Sequence, residues 1–253
     1  MGYFHDGHLA LMKHARQIAD RVVVSLFINP AQFGPGEDLD SYPRDLESDG
    51  QKAEDAGVDL LFTPVATEMY HQGHETSILV SELSQGMCGR DRPQHFTGVA
   101  TVVGKLFNII EPDSAIFGEK DFQQLTVIKR MVRDLNFPVK IIGHEIVREK
   151  DGLAMSSRNA YLDVQERREA TVLFRALEMV QKQVRSSAVV LETTPLLRAA
   201  ETFIAENSSC TVEYLTIVDP LTLKPKANTD GTCRIAGAIK INNRIRLIDN
   251  MAL

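Results

Sequence analysis

His5-Asp6-Gly7-His8 opens an amphipathic run, Leu9-Ala10-Leu11-Met12, and ten residues past Met12 the chain enters Val22-Val23-Val24-Ser25-Leu26-Phe27-Ile28. Leu9, Met12, Ala15 and Ala19, with Leu11 and Ile18 beside them, form a helical apolar stripe that ends near Asp20. Val22 to Ile28 is almost continuously apolar and β-branched, which reads as a buried strand closed by Asn29-Pro30. Two imidazoles three residues apart at a helix start point the same way, toward free backbone N–H groups and the positive end of the helix dipole. Such a place suits an anion: Gly7 allows close backbone approach, and His5 and His8 can donate to phosphate oxygens. The plain alternative for a bare His-x-x-His is one histidine in solvent and one packed in the fold.

Outward from this stretch, helices and strands take turns, the pattern of crossover connections and an open parallel sheet. Pro43 suits a first helical position, the polar run to Ala56 can continue as helix, and Gly57 stops it before a strand from Val58 to Phe62. Thr97 to Ile110 predicts a helix apolar on most sides, buried against a sheet. A short strand, Ala115 to Phe117, a helix, Phe122 to Leu135, and a strand, Val139 to Ile142, follow. Near Val147 the character changes. Helix-prone Val164 to Arg185 and Leu196 to Glu206 precede strand-like Val212 to Val218 and Ala238 to Ile241, which predicts a smaller α+β domain over residues 147–253 after a main domain over residues 1–146. Ligands of open parallel sheets bind outside the carboxyl ends of the strands, so the loops after Ile28, Phe62 and Phe117 are expected to converge on one crevice.

The 253 residues, 43% hydrophobic and 25% charged, describe an ordinary globular protein long enough to bury a core. The net charge of −6 argues against broad nucleic-acid binding and leaves room for a local basic pocket. Cys88, Cys210 and Cys233 lie far apart and are odd in number, which fits a reduced, cytoplasmic setting. No apolar stretch is long enough to span a bilayer, and the start lacks the basic-then-apolar pattern of a secretory leader.

Three further polar clusters sit in or near the expected crevice. Asn29 and Gln32 lie in the turn Asn29-Pro30-Ala31-Gln32-Phe33, and an amide that both donates and accepts suits a ligand carrying hydroxyl and carboxylate groups. Ordinary turn chemistry accounts for Asn-Pro equally well. Gly118-Glu119-Lys120-Asp121 follows a strand; Lys120 is badly placed for the helix dipole unless a phosphate offsets it, or it simply points to water between two dipole-favourable acids. After the turn Asp151-Gly152, the run Met155-Ser156-Ser157-Arg158-Asn159 offers two hydroxyls and a guanidinium that match triphosphate oxygens, or a Ser N-cap with a surface Arg.

Met1-Gly2, His5-Asp6-Gly7-His8, Asn29-Pro30-Ala31-Gln32-Phe33, Tyr42-Pro43-Arg44, Arg92-Pro93-Gln94-His95-Phe96-Thr97-Gly98-Val99, Phe117-Gly118-Glu119-Lys120-Asp121-Phe122-Gln123-Gln124 and Met155-Ser156-Ser157-Arg158-Asn159, in this order, span essentially the whole chain. Together they resemble the pantothenate synthetases, or pantoate–β-alanine ligases, of the His-x-Gly-His group of nucleotide-binding folds. The resemblance implies a Rossmann-like parallel sheet with helices on both faces and a C-terminal domain closing over the ATP site. It implies ATP-dependent joining of pantoate and β-alanine through pantoyl adenylate, with Mg2+ accompanying ATP, release of AMP and pyrophosphate, and a homodimer. Carried over residue by residue, it implies that His5 and His8 line the phosphate path, with His8 as proton donor. Met1, Gly2, Gly7, Gly118, Glu119, Lys120 and Asp121 touch the nucleotide, and Val147 takes an adenine-site position. Met155, Ser156, Ser157 and Arg158 form a mobile loop over the phosphates. Gln32 and Gln124 hold pantoate, with Gln32 also meeting β-alanine, Asn29 lies in the same pocket, and Arg92 is a further site or dimer-interface residue. No metal-ligating side chain is implied.

The family carries a few dozen residues ahead of the Met1 position, including a first strand and a Pro-Thr pair. The expectation is therefore either that the given start is internal to a longer natural protein, or that the sheet lacks a central strand and part of the pantoate pocket, in which case an impaired or inactive nucleotide-binding protein, or an oligomeric scaffold, is an alternative. Another adenylyl-transferring enzyme of the same group would share the nucleotide clusters without needing Gln32 and Gln124. A metal-hydrolase reading of His5 and His8 is weaker, because their spacing is not the helical i, i+4 pair and no third ligand is evident.

Overall fold

The structure, a computed structural model, describes residues 3–253. The chain divides into two compact units, Met1–Glu119 with Gln123–Glu145 and Lys120–Phe122 with Ile146–Leu253.

In the first unit, helix α1 (Asp6–Ile18) leads into strand β1 (Val23–Ser25), and helix α2 (Leu46–Asp55) into β2 (Leu60–Phe62). β1 and β2 pair in parallel, Val23 opposite Leu60 and Ser25 opposite Phe62. Two one-turn helices, α3 (Ala66–Met69) and α4 (Cys88–Asp91), precede α5 (His95–Ile110), β3 (Ser114–Gly118), α6 (Phe122–Asp134) and β4 (Lys140–His144). β3 and β4 also pair in parallel, so Gly118 lies opposite His144 at the carboxyl edge. Helix α5 buries Val99, Ala100, Val102, Val103 and Phe107 against Ile128 and Met131 of α6. A second apolar cluster joins Phe4 and Met12 to Val22, Val24, Ala53 and Ala56. Parallel strands need crossovers, and the helices supply them with their apolar faces inward.

Two expectations here need correction. The strand expected over Val22 to Ile28 forms a ladder only at Val23–Ser25, because after the Leu26 N–H bonds to the Phe62 carbonyl at 2.9 Å the chain turns out of the sheet toward Asn29. Pro43 does not open a helix; α2 begins at Leu46, where the Asp45 carboxylate accepts the Ser48 N–H at 3.0 Å and caps it.

In the second unit, α8 (Val172–Ser186) and α9 (Thr193–Asn207) follow a short α7 (Val164–Glu169), and three antiparallel strands run in the order β5 (Thr211–Val218), β6 (Arg234–Ile241), β7 (Ile245–Ala252). The helices cover one face of this sheet: Leu173, Ala176, Leu177, Val180, Ala200 and Ile204 pack with Ile217, Ile235, Ile239 and Leu247. Gly237 is closely packed there, since a Cβ would lie 2.9 Å from both Leu173 Cδ1 and Leu215 Cδ1 and the two leucines would have to give way. The single helix expected over Val164 to Arg185 is interrupted at Ala170-Thr171. Asp163 and Glu166 build a capping box for α7 alone, and Glu166 is bound by Asn242 and Arg244. β7 carries no clean alternation, because Arg246, Asp249 and Asn250 break its apolar pattern, and it was not expected. The fold is α/β, parallel strand pairs flanked by helices with a C-terminal antiparallel sheet.

Candidate active site

His5 is the N-cap of α1, with extended backbone (φ −123°, ψ 171°), and the two histidines cap the helix themselves. His5 Nδ1 accepts the Gly7 N–H at 3.1 Å, and His8 Nδ1 accepts the His5 N–H at 3.4 Å. A ring nitrogen that accepts a backbone N–H carries no proton, so each neutral ring holds its proton on Nε2. The rings lie 4.0 Å apart, centroid to centroid, tilted by 31°. The cap thus fixes the tautomer and sets two Nε2–H donors side by side at the positive end of a 13-residue helix.

The residue ahead of this cap is itself held. The Phe4 N–H donates to the buried Asp49 carboxylate at 2.7 Å, and Lys52, one turn along α2, donates to the Phe4 carbonyl at 3.1 Å. Neither residue was singled out in the sequence, because nothing in the spacing of 4 to 49 predicts that contact.

Asn29 caps and Gln32 ends a 3₁₀ turn (Pro30–Gln32) that sits on α5 at Gly98, where an added Cβ would lie 2.1 Å from the Ala31 carbonyl oxygen. Asn29 is 2% exposed and committed internally: Oδ1 accepts from Ala31 N–H and from Tyr70 Oη at 2.7 Å, while Nδ2 donates to the Gly98 carbonyl and to Gln32 Oε1. The Gln32 carbonyl accepts from Arg92 and His95. Arg92 makes a two-pronged ion pair with Glu37, 2.6 Å from Nε to Oε1. Burial works against both charges, but the mutual hydrogen bonds and attraction dominate, holding Glu37 below and Arg92 above their ordinary values. Arg92 therefore anchors the Gln32 turn.

The paired glutamines of α6 divide sharply. Gln123, 5% exposed, donates to the Leu83 and Gly86 carbonyls and accepts the Cys88 N–H, tying down the segment before α4. Gln124 is half-buried and makes no side-chain hydrogen bond among the described residues. At the end of β3, a Cβ on Gly118 would meet nothing within 4 Å, leaving room for a ligand to approach the backbone beside Glu119.

In the second unit, the Lys120 carbonyl accepts from Asn250 at 3.0 Å and Arg234 stacks over Phe122 at 4.0 Å, fixing the segment that carries Lys120 and Asp121. Lys120 Nζ lies 3.9 Å from Asp121. Val147 and Met155 are joined by a backbone bond of 2.9 Å, the Met155 N–H donating to the Val147 carbonyl across a hairpin. At its tip Gly152 has φ +93° and abuts Phe174, where a Cβ would sit 2.1 Å from Cε1. Arg148 pairs with the buried Asp249 at 2.6 and 2.8 Å. Ser156 caps the 3₁₀ turn Ser157–Tyr161 by accepting the Arg158 N–H at 3.3 Å, and Ser157 is buried. Met1 and Gly2 lie outside the described residues. Among the described residues no three His, Cys, Asp or Glu side chains gather to hold a metal ion, and no helix is long and apolar enough to cross a membrane.

Residues 1–252 match the family model described as pantoate-beta-alanine ligase. The chain is 52% identical to the pantothenate synthetase of Heliobacterium modesticaldum, over 100% of this chain and 89% of that protein, and 52% identical to that of Desulfotalea psychrophila over the same shares. Among solved structures it is similar to pantothenate synthetase from Thermus thermophilus, with 47% identity, TM-score 0.94, and coverage of 99% and 90%. A pantoate-beta-alanine ligase from Francisella tularensis, complexed with beta-gamma ATP and beta-alanine, aligns at 31% identity and TM-score 0.75 over 99% and 86%.

Proposed function

The chain belongs to the pantoate–β-alanine ligase family, and from that premise we propose how its residues carry out the ATP-dependent ligation of pantoate to β-alanine. In the first step a pantoate carboxylate oxygen attacks the α-phosphorus of ATP, the bond to the bridging oxygen breaks, and pyrophosphate leaves. In the second the β-alanine amine attacks the acyl carbon of pantoyl adenylate, AMP leaves, and the amine loses its proton. No covalent bond to the enzyme is needed, so catalysis rests on alignment and on donors aimed at developing charge.

His5 and His8 are the donors at the α-phosphate, and His8 carries the proton-donor role. The single observation behind this reading is the self-capping pair, because Nδ1 bonding to the backbone commits both rings to present Nε2–H at a helix N-terminus. Gly7, Gly118 and Glu119 lie along the nucleotide, joined by Met1 and Gly2. Lys120, Asp121, Val147, Met155, Ser156, Ser157 and Arg158 are assigned to the nucleotide from the second unit, with Lys120 and Arg158 neutralising phosphate charge. Gln32 and Gln124 hold pantoate. Asn29 and Arg92 are proposed to shape that pocket rather than to touch the ligand, given their internal bonds.

Mg2+ enters as the ATP complex. This cation keeps several waters and would be held chiefly by the ATP phosphates. A homodimer in the cytoplasm completes the reading, the latter supported by three free cysteines. A catalytically inactive nucleotide binder is not favoured, since the relatives matched along the whole chain are synthetases. An omission assay tests the function: pyrophosphate is expected with ATP and pantoate alone, and AMP turnover only when β-alanine is added. Pyrophosphate release without pantoate would overturn it.

A further inference from the structure

Asn159 follows the loop of residues 155–158, and its side chain has no task in the nucleotide reading. Asn159 Nδ2 donates to Glu149 Oε1 at 2.8 Å and to the Ala154 carbonyl at 3.1 Å, both on the Val147 to Met155 hairpin. A carboxylate and a carbonyl can only accept, so both amide hydrogens are committed and the amide has one orientation. Its oxygen, Oδ1, is then left buried without a hydrogen-bond partner among the described residues. An unpaired buried acceptor is unfavourable, and the fold tolerates it here with both hydrogens tied to the hairpin. Bonds inside the loop do not reach that far: Ser156 takes the Arg158 N–H on Oγ at 3.3 Å and the Asn159 N–H on its carbonyl at 3.0 Å.

We propose that Asn159 is a positioning residue that staples the loop of residues 155–158 to the hairpin, and so holds Ser157 and Arg158 in place for the triphosphate of ATP. This rests on the assignment of Ser157 and Arg158 to the phosphates. The bond to Ala154 joins the residue just before the loop to the residue just after it, so the loop spans fixed ends. The bond to Glu149 stiffens that anchor, because the other Glu149 oxygen, Oε2, receives Arg167 of α7 at 2.6 Å, and Arg167 also pairs with Asp151 at 2.7 Å. The hairpin is itself secured, since Arg148, bridged to Ala154, pairs with Asp249 on β7. A loop closed in advance binds without first having to be ordered. Without the Asn159 amide, that ordering falls on ATP binding.

The test reads the ATP and pantoate KM in pantoate-dependent pyrophosphate release for the parent, Asn159→Ala, the loop variant Ser157→Ala/Arg158→Ala, and all three changes together. Asn159→Ala is expected to raise the ATP KM about tenfold, the scale of a lost hydrogen bond, and to leave the pantoate KM within about twofold. Added to the loop variant, the same change is expected to contribute less than about twofold, because nothing remains for it to position. If the loop variant raises the ATP KM while Asn159→Ala does not, if the pantoate KM rises equally, or if the effects multiply, the staple is wrong and the assignment of the loop stands. If the loop variant leaves the ATP KM unchanged, that assignment fails and the proposal with it. Hydrogen exchange without ATP tests the staple directly: the amides of residues 156–158 are expected to exchange about tenfold faster in Asn159→Ala, with those of β5, β6 and β7 unchanged. Loop amides that exchange as in the parent, or a rise shared by the sheet, overturn the proposal.

Discussion

Gln123 and Gln124 stand side by side in the sequence and do opposite things. Gln123 saturates its amide with Leu83, Gly86 and Cys88, whereas the Gln124 side chain makes no hydrogen bond among the described residues and is the one proposed to hold pantoate. Gln123→Leu leaves the Leu83 carbonyl and the Cys88 N–H without their side-chain partner, while the Gly86 carbonyl keeps the Gly89 N–H at 2.9 Å; each buried group left unpaired costs about 1–3 kcal/mol, so its Tm is expected to fall by several degrees. Gln124→Ala is expected to melt with the parent and to raise the pantoate KM instead. Thermal melts beside pantoate titrations check this, and the reverse pattern would exchange the two roles. The candidates of the proposed site were legible as residue types: His5, His8, Gln32, Gln124 and Ser156 can all be named from the chain. What each does with its other atoms was not. That His5 and His8 cap their own helix through Nδ1 is local and followed from no motif, while Glu37 behind Arg92, Tyr70 behind Asn29 and Asp49 behind Phe4 are contacts across 41 to 55 positions that spacing does not encode.

Elements were readable where one face is apolar and unreadable where polar tertiary contacts decide. Helix α5, apolar on most sides, was expected over Thr97 to Ile110 and spans His95–Ile110. The separate start of α7 is set by Glu166, which closes the Asp163 capping box and receives Arg244 at 2.7 Å and Asn242 at 2.9 Å. The backbone N–H of Asp163, with Arg244 and Asn242, lowers the Glu166 carboxyl from 4.5 to about 2. A carboxyl that is a stronger acid in the folded state stabilises fully above its unfolded value and loses that contribution as pH falls through the folded one. Stability is therefore expected to decline from about pH 4.5 toward pH 2, with a shallower decline in Glu166→Gln. Melts across that range that superimpose for parent and variant would show that Glu166 does not set the acid limb.

The two units use different means to hold their loops. In the first, parallel strand pairs and crossover helices place Gly118 and the Asn29 to Gln32 turn at carboxyl edges. In the second, an antiparallel sheet backed by α8 and α9 holds Lys120 through Asn250, and the Val147 to Met155 hairpin through Arg148 and Asp249. Alternation of helices and strands was enough to expect the first arrangement. The antiparallel sheet was only half visible, because β7 hides behind the polar residues that do its anchoring. On the reading proposed for the whole molecule, His5 and His8 serve the attack on the α-phosphate rather than the later aminolysis. A rapid-quench experiment on His8→Ala separates the steps, following pyrophosphate formation from ATP and pantoate and, in parallel, capture of supplied pantoyl adenylate by β-alanine. The first rate is expected to fall by about 10²–10³, the scale of one lost transition-state donor, with the second within a few-fold of the parent. An equal fall in both rates, or an unchanged first rate, would take the histidines away from the α-phosphate step.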